Sequence, residues 1–297
     1  MALNRYRFYL GPLGAIRMLP AFPKSTAVTV GGPPVTSPVA TAAMLGVPHQ
    51  SLSGRQTFDR FAVKRQWTLQ WGYLHEPDLL SIESCYRIYQ ASSAIYLLDP
   101  RRKNCMSYQV SSGGSEGQST AGFTASAGTL AYSPSLTIHP DLTGYLPGGV
   151  TWVAAASGQT LLATITPTIA GSYYTFSTYA YGSGTATLVA QPYDASGNAL
   201  TQVLGPSITL TGTPIRYSLP AYWPGSTAVS TAFGWRASGA ATVNTYGWQC
   251  ELDQPLSSFS FGVGFPQVII PTSPVQYPRY STTDGSRIAV GLTILEV

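Results

Sequence analysis

Charge is what this sequence has least of. Asp, Glu, Lys and Arg make up 9% of its 297 residues, against about a quarter in an ordinary globular chain. Hydrophobic residues stand at 44% and aromatics at 12%, which excludes disorder, since disordered chains are poor in aromatics. The few charges are unevenly placed. Residues 1–104 hold 12 Lys and Arg against 5 acids. Residues 105–250 hold only Arg216 and Arg236 against Glu116, Asp141 and Asp194. No continuous basic stripe interleaved with aromatics exists, which argues against sequence-specific nucleic-acid binding.

Cysteine and histidine are almost as scarce. Cys85, Cys105 and Cys250 cannot all pair internally, and no CxxC or Cys/His zinc spacing occurs. Neither a disulfide framework nor a metal site is expected, which fits assembly in a reducing cytoplasm. His49, His75 and His139 stand in unrelated contexts, and there is no HExxH, GxSxG, P-loop or GxGxxG. Three acids spread over the middle of the chain leave no carboxylate pair for glycoside hydrolysis. The expectation is a protein without catalytic residues, cofactor or metal. "DASGN" (194–198) has the composition of a calcium loop but reads as a hairpin turn. No stretch approaches the roughly 20 apolar residues of a membrane span, and Pro12, Arg17 and Pro20 interrupt what would be the apolar core of a leader.

What is present is β-structure. From Phe61 to Tyr73 the chain alternates: Phe61, Val63, Trp67, Leu69, Trp71 and Tyr73 share one parity, broken by Arg65. Ala62, Lys64, Gln66, Thr68, Gln70 and Gly72 form the other. This period of two predicts a strand with one buried face, about 40 Å long at 3.3 Å per residue. A helix follows, with His75 or Glu76 as cap and Pro77 tolerated in its first turn. Leu79, Ile82, Tyr86 and Tyr89 form its apolar stripe. "SAIYLLDP" returns as a strand. Upstream, residues 4–20 read as a short strand pair around Gly11-Pro12, and residues 25–50, rich in Pro and Gly, as a long extended loop, either a disordered arm or a loop that orders against a neighbouring subunit.

Residues 107–122 read as a Gly/Ser-rich linker. Beyond them, short strands with turn signals about every 8–12 residues and almost no helical period predict a β-sandwich or jelly roll. In "SYYTFSTYAY", Tyr174, Phe176, Thr178 and Ala180 are assigned to the core. Tyr173, Thr175, Ser177, Tyr179 and Tyr181 are assigned to a polar-aromatic surface. Trp248 shares parity with Cys250 and Leu252 and is assigned to the core. Trp223, between two prolines in "PAYWPGS", is placed on an exposed loop. Aromatic faces low in charge suit neutral glycans, so Trp223, Tyr179 and Tyr181 are the candidate glycan-binding residues. The alternating run Ile288, Val290, Leu292 and Ile294 has no partner in a finished sandwich. It is expected to rejoin the first sheet, making the sandwich an insertion.

"GRQTFDRFAVKRQWTLQWGYLHEPDLLSIESCYRIYQASSAIYLLDPRRKN" resembles the N-terminal segment of distal-tail-type and minor tail proteins of siphophages, especially those infecting actinobacteria. "GLTILEV" is similar to the ending of the same proteins. "GSYYTFSTYAYGSG" and "ATVNTYGWQCEL" look like the carbohydrate-binding jelly rolls inserted in them. The resemblance implies a mainly β fold: a tail-tube-like sheet with one flanking helix, over residues 1–110 and 255–297, and an inserted jelly roll over 118–252. It implies a ring of copies, hexameric or trimeric, in the tail tip of a virion assembled in the host cytoplasm. Partners would be other tail-tube and tail-tip proteins and a host cell-surface glycan. Trp67, Leu69, Trp71, Leu79, Ile82 and Tyr86 would form the core on which assembly depends, and the polar parity of the long strand would face a hydrated lumen. The alternative is a secreted polysaccharide-binding or adhesin protein, which shares the jelly roll but does not need the strand–helix unit.

Overall fold

The computed structural model describes residues 8–19, 39–50, 56–74, 76–99, 103–164, 166–169, 171–253, 255–281 and 285–297. The fold is mainly β. The first strands are β1 (Tyr9–Pro12), β2 (Arg17–Met18), β3 (Val39–Gln50) and β4 (Gln56–Leu74). Helix α1 (Glu76–Ser84) runs on through a π turn (Cys85–Tyr89) and a last turn (Gln90–Ser92) to β5 (Ile95–Leu98) and a short helix α2 (Tyr108–Ser111). The middle of the chain is β6 (Phe123–Ala125), β7 (Thr129–Ser133), a 3-10 turn (Pro140–Leu142), β8 (Gly149–Ala154), β9 (Thr160–Ala163), β10 (Thr166–Pro167), β11 (Tyr174–Ser183), β12 (Thr185–Tyr193), β13 (Val203–Thr209), β14 (Ile215–Tyr222), β15 (Ser230–Ala237) and β16 (Ala241–Leu252). Last come β17 (Gln267–Ile269), β18 (Val275–Ser281) and β19 (Gly285–Glu296).

The chain divides into two compact units. Among the described residues, one comprises 8–12, 17–99 and 266–297, and the other 13–16 and 103–265. The first unit is a single antiparallel sheet in the order β2-β1-β5-β17-β19-β4-β3, with β18 also paired to β19. On β4, Trp67, Leu69 and Trp71 are buried while Thr68 and Gln70 are exposed, so the period of two is realised there. The side chains of Phe61, Val63 and Tyr73 lie outside the described set. The final strand β19 lies along β4, with Ile294 opposite Trp67 and Leu292 opposite Leu69. Val290, Leu292 and Ile294 join Trp67, Leu69, Trp71, Leu79 and Ile82 in one hydrophobic cluster, with Tyr86 and Tyr89 packed against it. Each of the larger side chains contributes about 1.5–3 kcal/mol by burial.

Arg65, the exception in the alternation, has a partner. Its Nε donates to Oε2 of Glu296 at 2.9 Å and its Nη2 to Oε1 at 3.0 Å, and its backbone N–H donates to Oε2 at 2.9 Å. The guanidinium also lies 5.3 Å from the Trp67 ring centroid. A planar fork on a carboxylate is the strong form of a surface ion pair, and here it fastens β19 to β4. On the helix, the π turn follows Ile82 and brings Cys85 into the core. Burial pushes its thiol up to about 11, against the opposing charge of Arg17, which makes it an inert core residue. Gln90 closes the helix onto the sheet: its amide nitrogen donates to the carbonyl of Ile270 at 3.0 Å and its oxygen accepts from the Ile270 N–H at 2.6 Å.

One reading of this region changes. Residues 39–50, expected as loop, form β3, paired with β4 from Val39↔Thr68 to Gln50↔Gln56 with an irregularity between Leu45 and Gly46. Its composition of Ala, Gly and Pro hides a strand whose existence is set by the ladder offered by β4. Residues 25–38, and the helix cap at His75, lie outside the described residues.

The second unit is a sandwich of two antiparallel sheets, β13-β12-β15-β9-β6 with β10 on β15, and β14-β11-β16-β8-β7. Phe233 on the first sheet meets Tyr174, Phe176 and Tyr222 of the second at ring-centroid distances of 6.3, 5.3 and 5.6 Å. Phe176 in turn lies 5.5 Å from Trp248, and Phe123 5.1 Å from it. Trp152, Trp235 and Trp248 are fully buried. The Asp194 turn joins β12 to the segment before β13. Its carboxylate accepts the N–H groups of Ser196 and Asn198 at 2.9 and 2.8 Å and Nδ2 of Asn198 at 3.0 Å, an Asx turn that engages the carboxylate.

Residues 107–122 are part of the sandwich, where a flexible linker had been expected. Ser107 caps α2 by accepting the Val110 N–H at 3.3 Å, and Val110, Ser111 and Ser112 are buried. Ser111 Oγ accepts the N–H of Gly262 at 2.9 Å. A Gly/Ser composition permits flexibility, but here the serines find backbone partners. Asn104 completes this region. Fully buried, it donates to the carbonyls of Trp248 and Ser260 at 2.8 and 2.9 Å and accepts from the N–H groups of Met106 and Cys250, both at 3.0 Å.

Candidate functional site: a cleft on the outer face of the sandwich

One irregularity in β16 creates the site. β11 and β16 run in register through Tyr179↔Tyr246, then slip, so that Ser177 faces Gln249. Gly247 sits at the slip with φ +59, a left-handed backbone that favours glycine. A Cβ there would come within 2.9 Å of Leu142 Cδ1 and 3.0 Å of Tyr179 Cδ2. The extra residue reverses the parity of the strand, as bulges do. Trp248 turns into the inter-sheet core, while Tyr246 turns outward and stacks on Tyr179, centroids 5.9 Å apart and planes within 4°.

This outer face is covered. Tyr179 and Tyr246 form a second apolar cluster with Leu142 and Leu146, against which Leu136, Ile138, Tyr181, Phe259 and Phe261 pack. Tyrosine hydroxyls hold the first covering segment. Tyr246 accepts from the His139 N–H at 2.6 Å and donates to the Thr137 carbonyl at 3.1 Å, and Tyr181 accepts from the Thr137 N–H at 2.9 Å. Burial pushes the Tyr246 phenol up to about 12. The second covering segment hangs from three polar side chains of the sheet. Arg216 donates from Nη1 to the Ser257 carbonyl at 2.5 Å. Glu251 accepts the Ser257 N–H at 3.1 Å and its hydroxyl at 2.5 Å. Gln249 donates to the Ser258 carbonyl at 3.3 Å and accepts the Ser260 N–H at 2.9 Å. Ser257 thus stands between the guanidinium and the carboxylate of the wholly buried Glu251.

Between the two segments lies a cleft of about 440 Å³, within the 300–1,000 Å³ of small-ligand sites. Asp141, Leu142 and Tyr145 line one side, Ser258, Phe259, Ser260 and Phe261 the other, with Tyr179 and Arg216 between them. Arg216 Nη2 donates to Ser177 Oγ at 2.9 Å, and its guanidinium lies 5.5 Å from the Tyr179 ring centroid. Burial raises the pKa of the Tyr179 phenol, Arg216 opposes the shift, and Asp141 adds to it.

The structure therefore places the three candidate glycan-binding residues in different settings. Tyr179, assigned from its parity to the surface, is only 4% exposed, as are its neighbours Thr175 at 5% and Ser177 at 0%. The physical reason is that residues 136–146 and 257–261 cover the face that strand alternation alone would leave to solvent. Tyr181 is half-buried in the same cluster. Trp223 does lie on a loop and is 53% exposed. It follows Tyr222, which pairs with Tyr174, whereas Arg216 pairs with Tyr179. That puts its backbone about 20 Å along the strand from that of Arg216 at 3.3 Å per residue. Alternation in "YGWQCEL" had marked the buried parity of Trp248, Cys250 and Leu252. Gln249 and Glu251 on the other parity carried no signal of their role, since polar residues there are ordinarily solvated. Arg216 and Asp141 had been noted only as charges in a charge-poor stretch, and Tyr145 not at all.

No protein-family model matches the sequence, and no curated protein matches it. Among solved structures, the chain is similar to the enzymatically active domain of tailspike protein 4 of bacteriophage CBA120, with 15% identity and a TM-score of 0.41, over 50% of this chain and 21% of that one. It is similar to the CBM22-1 xylan-binding domain of Paenibacillus barcinonensis Xyn10C, with 13% identity and a TM-score of 0.35, over 46% of this chain and 90% of that one. It is also similar to the C-terminal family 22 carbohydrate-binding module of Clostridium thermocellum Xyn10B, with 13% identity and a TM-score of 0.37, over 48% and 92%. The chain spans only 21% of the tailspike domain's length. At these scores, what the site does has to be read from its own residues.

Proposed function

We propose that this chain is a structural protein of a bacteriophage tail tip, of distal-tail type. In this reading the single-sheet unit assembles with its copies into a ring of three or six that joins the tail tube to the tip, and the sandwich is presented to glycans of the host surface. The observation that carries the reading is the pairing of β19 with β4, fastened by Arg65 and Glu296. It makes one sheet of the segments that flank the sandwich, in the order on which the sequence resemblance rests. The edge of that sheet adds support. β3 pairs with β4 on one side only among the described residues, and its twelve residues, VATAAMLGVPHQ, include no Asp, Glu, Lys or Arg. A long uncharged edge invites pairing with another chain, which ring closure would satisfy.

The cleft favours one second reading, a secreted polysaccharide-binding or adhesin protein, in which the sandwich is the working part. The two are separated by immunogold labelling, with antibodies against the full chain, of particles and culture medium from the source of the gene. Gold at one tail end is the expected result. Label on a cell surface or in the medium, with tails unlabelled, would leave the second reading.

A further inference from the structure

The cleft combines features that together select a ligand. It has one cation, Arg216, and one anion, Asp141, so it offers both signs with no excess of either. The Arg216 fork is pre-organised: Nη1 is held by the Ser257 carbonyl and Nη2 by Ser177 Oγ, against the Tyr179 ring. A guanidinium carries five N–H groups, and the Tyr179 hydroxyl is a further partner for them. Arg216 Nε is buried without a hydrogen-bond partner, and so is Oγ of Ser260, another residue lining the cleft. Both of these atoms are closed to solvent, so the polar groups the cleft offers a ligand are the rest of the guanidinium and the Asp141 carboxylate. The Asp141 side chain is 71% exposed. Its own N–H donates to Nδ1 of His139 at 3.3 Å, and its Oδ2 lies 3.5 Å from the same nitrogen. Tyr145 supplies an aromatic ring that is 69% exposed.

The geometry points to this cleft as a binding site for a neutral oligosaccharide. Its hydroxyl oxygens would accept from Arg216, its hydroxyl protons would go to Asp141, and the apolar face of a sugar ring would lie on Tyr145. The inference rests on the glycan-contacting reading of the sandwich and moves that contact away from Trp223. A polyanion would gain Arg216 but meet Asp141. An apolar ligand would leave both charges desolvated and unpaired, which is costly.

The test is calorimetric titration of the full chain with a fixed set of probes. Neutral hexasaccharides of glucose, galactose, xylose, mannose and N-acetylglucosamine are set against oligogalacturonate and a glycerol-phosphate oligomer. Tyr145→Ala, Asp141→Asn and Trp223→Ala are compared with the parent chain, each checked for an unchanged thermal melt, which their exposure favours. The expected result is binding of at least one neutral probe, weakened about tenfold or more by Tyr145→Ala and by Asp141→Asn, as for a central aromatic or charged contact, and changed less than about twofold by Trp223→Ala, as for a residue outside the contact. Loss with Trp223→Ala alone would keep the glycan reading and overturn the cleft. Binding of acidic probes only would overturn the ligand class. Binding of none would overturn both the cleft and the glycan-contacting role of the sandwich.

Discussion

Arg65 is the residue at which alternation and structure part company most usefully. A charge on the apolar parity of a long strand is a local inconsistency, and its resolution lies in Glu296, 231 positions away. Burial pushes the Glu296 carboxyl up, but the hydrogen bonds and charge of Arg65 outweigh it, and its pKa falls below the ordinary 4.5. Because the folded value is the lower one, the pair stabilises fully above pH 4.5 and its contribution is lost as pH falls through the folded value. Glu296→Gln should therefore destabilise the single-sheet unit at pH 7 by about 1 kcal/mol, the upper range for a partly exposed pair. The difference should shrink at a pH well below 4.5, as the parent carboxylate protonates. Thermal melts of both proteins at the two pH values measure this, and an equal gap at both would remove the charge from the account. Gly247 teaches the converse. Nothing in "TYGWQCEL" announces a parity reversal, so the outward turn of Tyr246, and with it the cleft, was not legible from alternation.

At the scale of elements, packing rather than propensity decides. The strand of β4 and the stripe of α1 could be read directly, because a period of two and a period near 3.6 each declare a buried face. Trp71→Ala should cost about 3–5 kcal/mol through the cavity it leaves, whereas Thr68→Val, on the exposed parity of the same strand, should stay within about 0.5 kcal/mol. Chemical denaturation of the two variants checks this, and similar losses would mean that the sheet is not packed on α1. β3 and α2 were not readable for a common reason. Both are short of the apolar periodicity that marks an element, and both exist through partners supplied from elsewhere, β4 for the first and the Gly262 region for the second.

At the scale of the whole molecule, the charge gradient and the final strand suggested a sandwich inserted over 118–252, and the second compact unit takes in residues 103–265. The polar residues that hold the cover, Gln249 and Glu251, bind residues 257–260, and Asn104 ties the chain on both sides of the sandwich to β16. A fragment of residues 103–265 should therefore fold by itself. One limited to 118–252 should not, because it would strip the 257–261 cover from the Tyr179 face and leave Gln249 and Glu251 without their partners. Near-ultraviolet circular dichroism distinguishes the outcomes, and a well-packed 118–252 fragment would show the covering segments to be dispensable.

The central claim is that the single-sheet unit closes into a ring with its own copies. Negative-stain imaging of the purified full chain tests it most directly. The account predicts closed particles of threefold or sixfold symmetry, absent from the Trp71→Ala variant. A parent chain that stays monomeric at every concentration examined, with no closed particles on the grid, would contradict it.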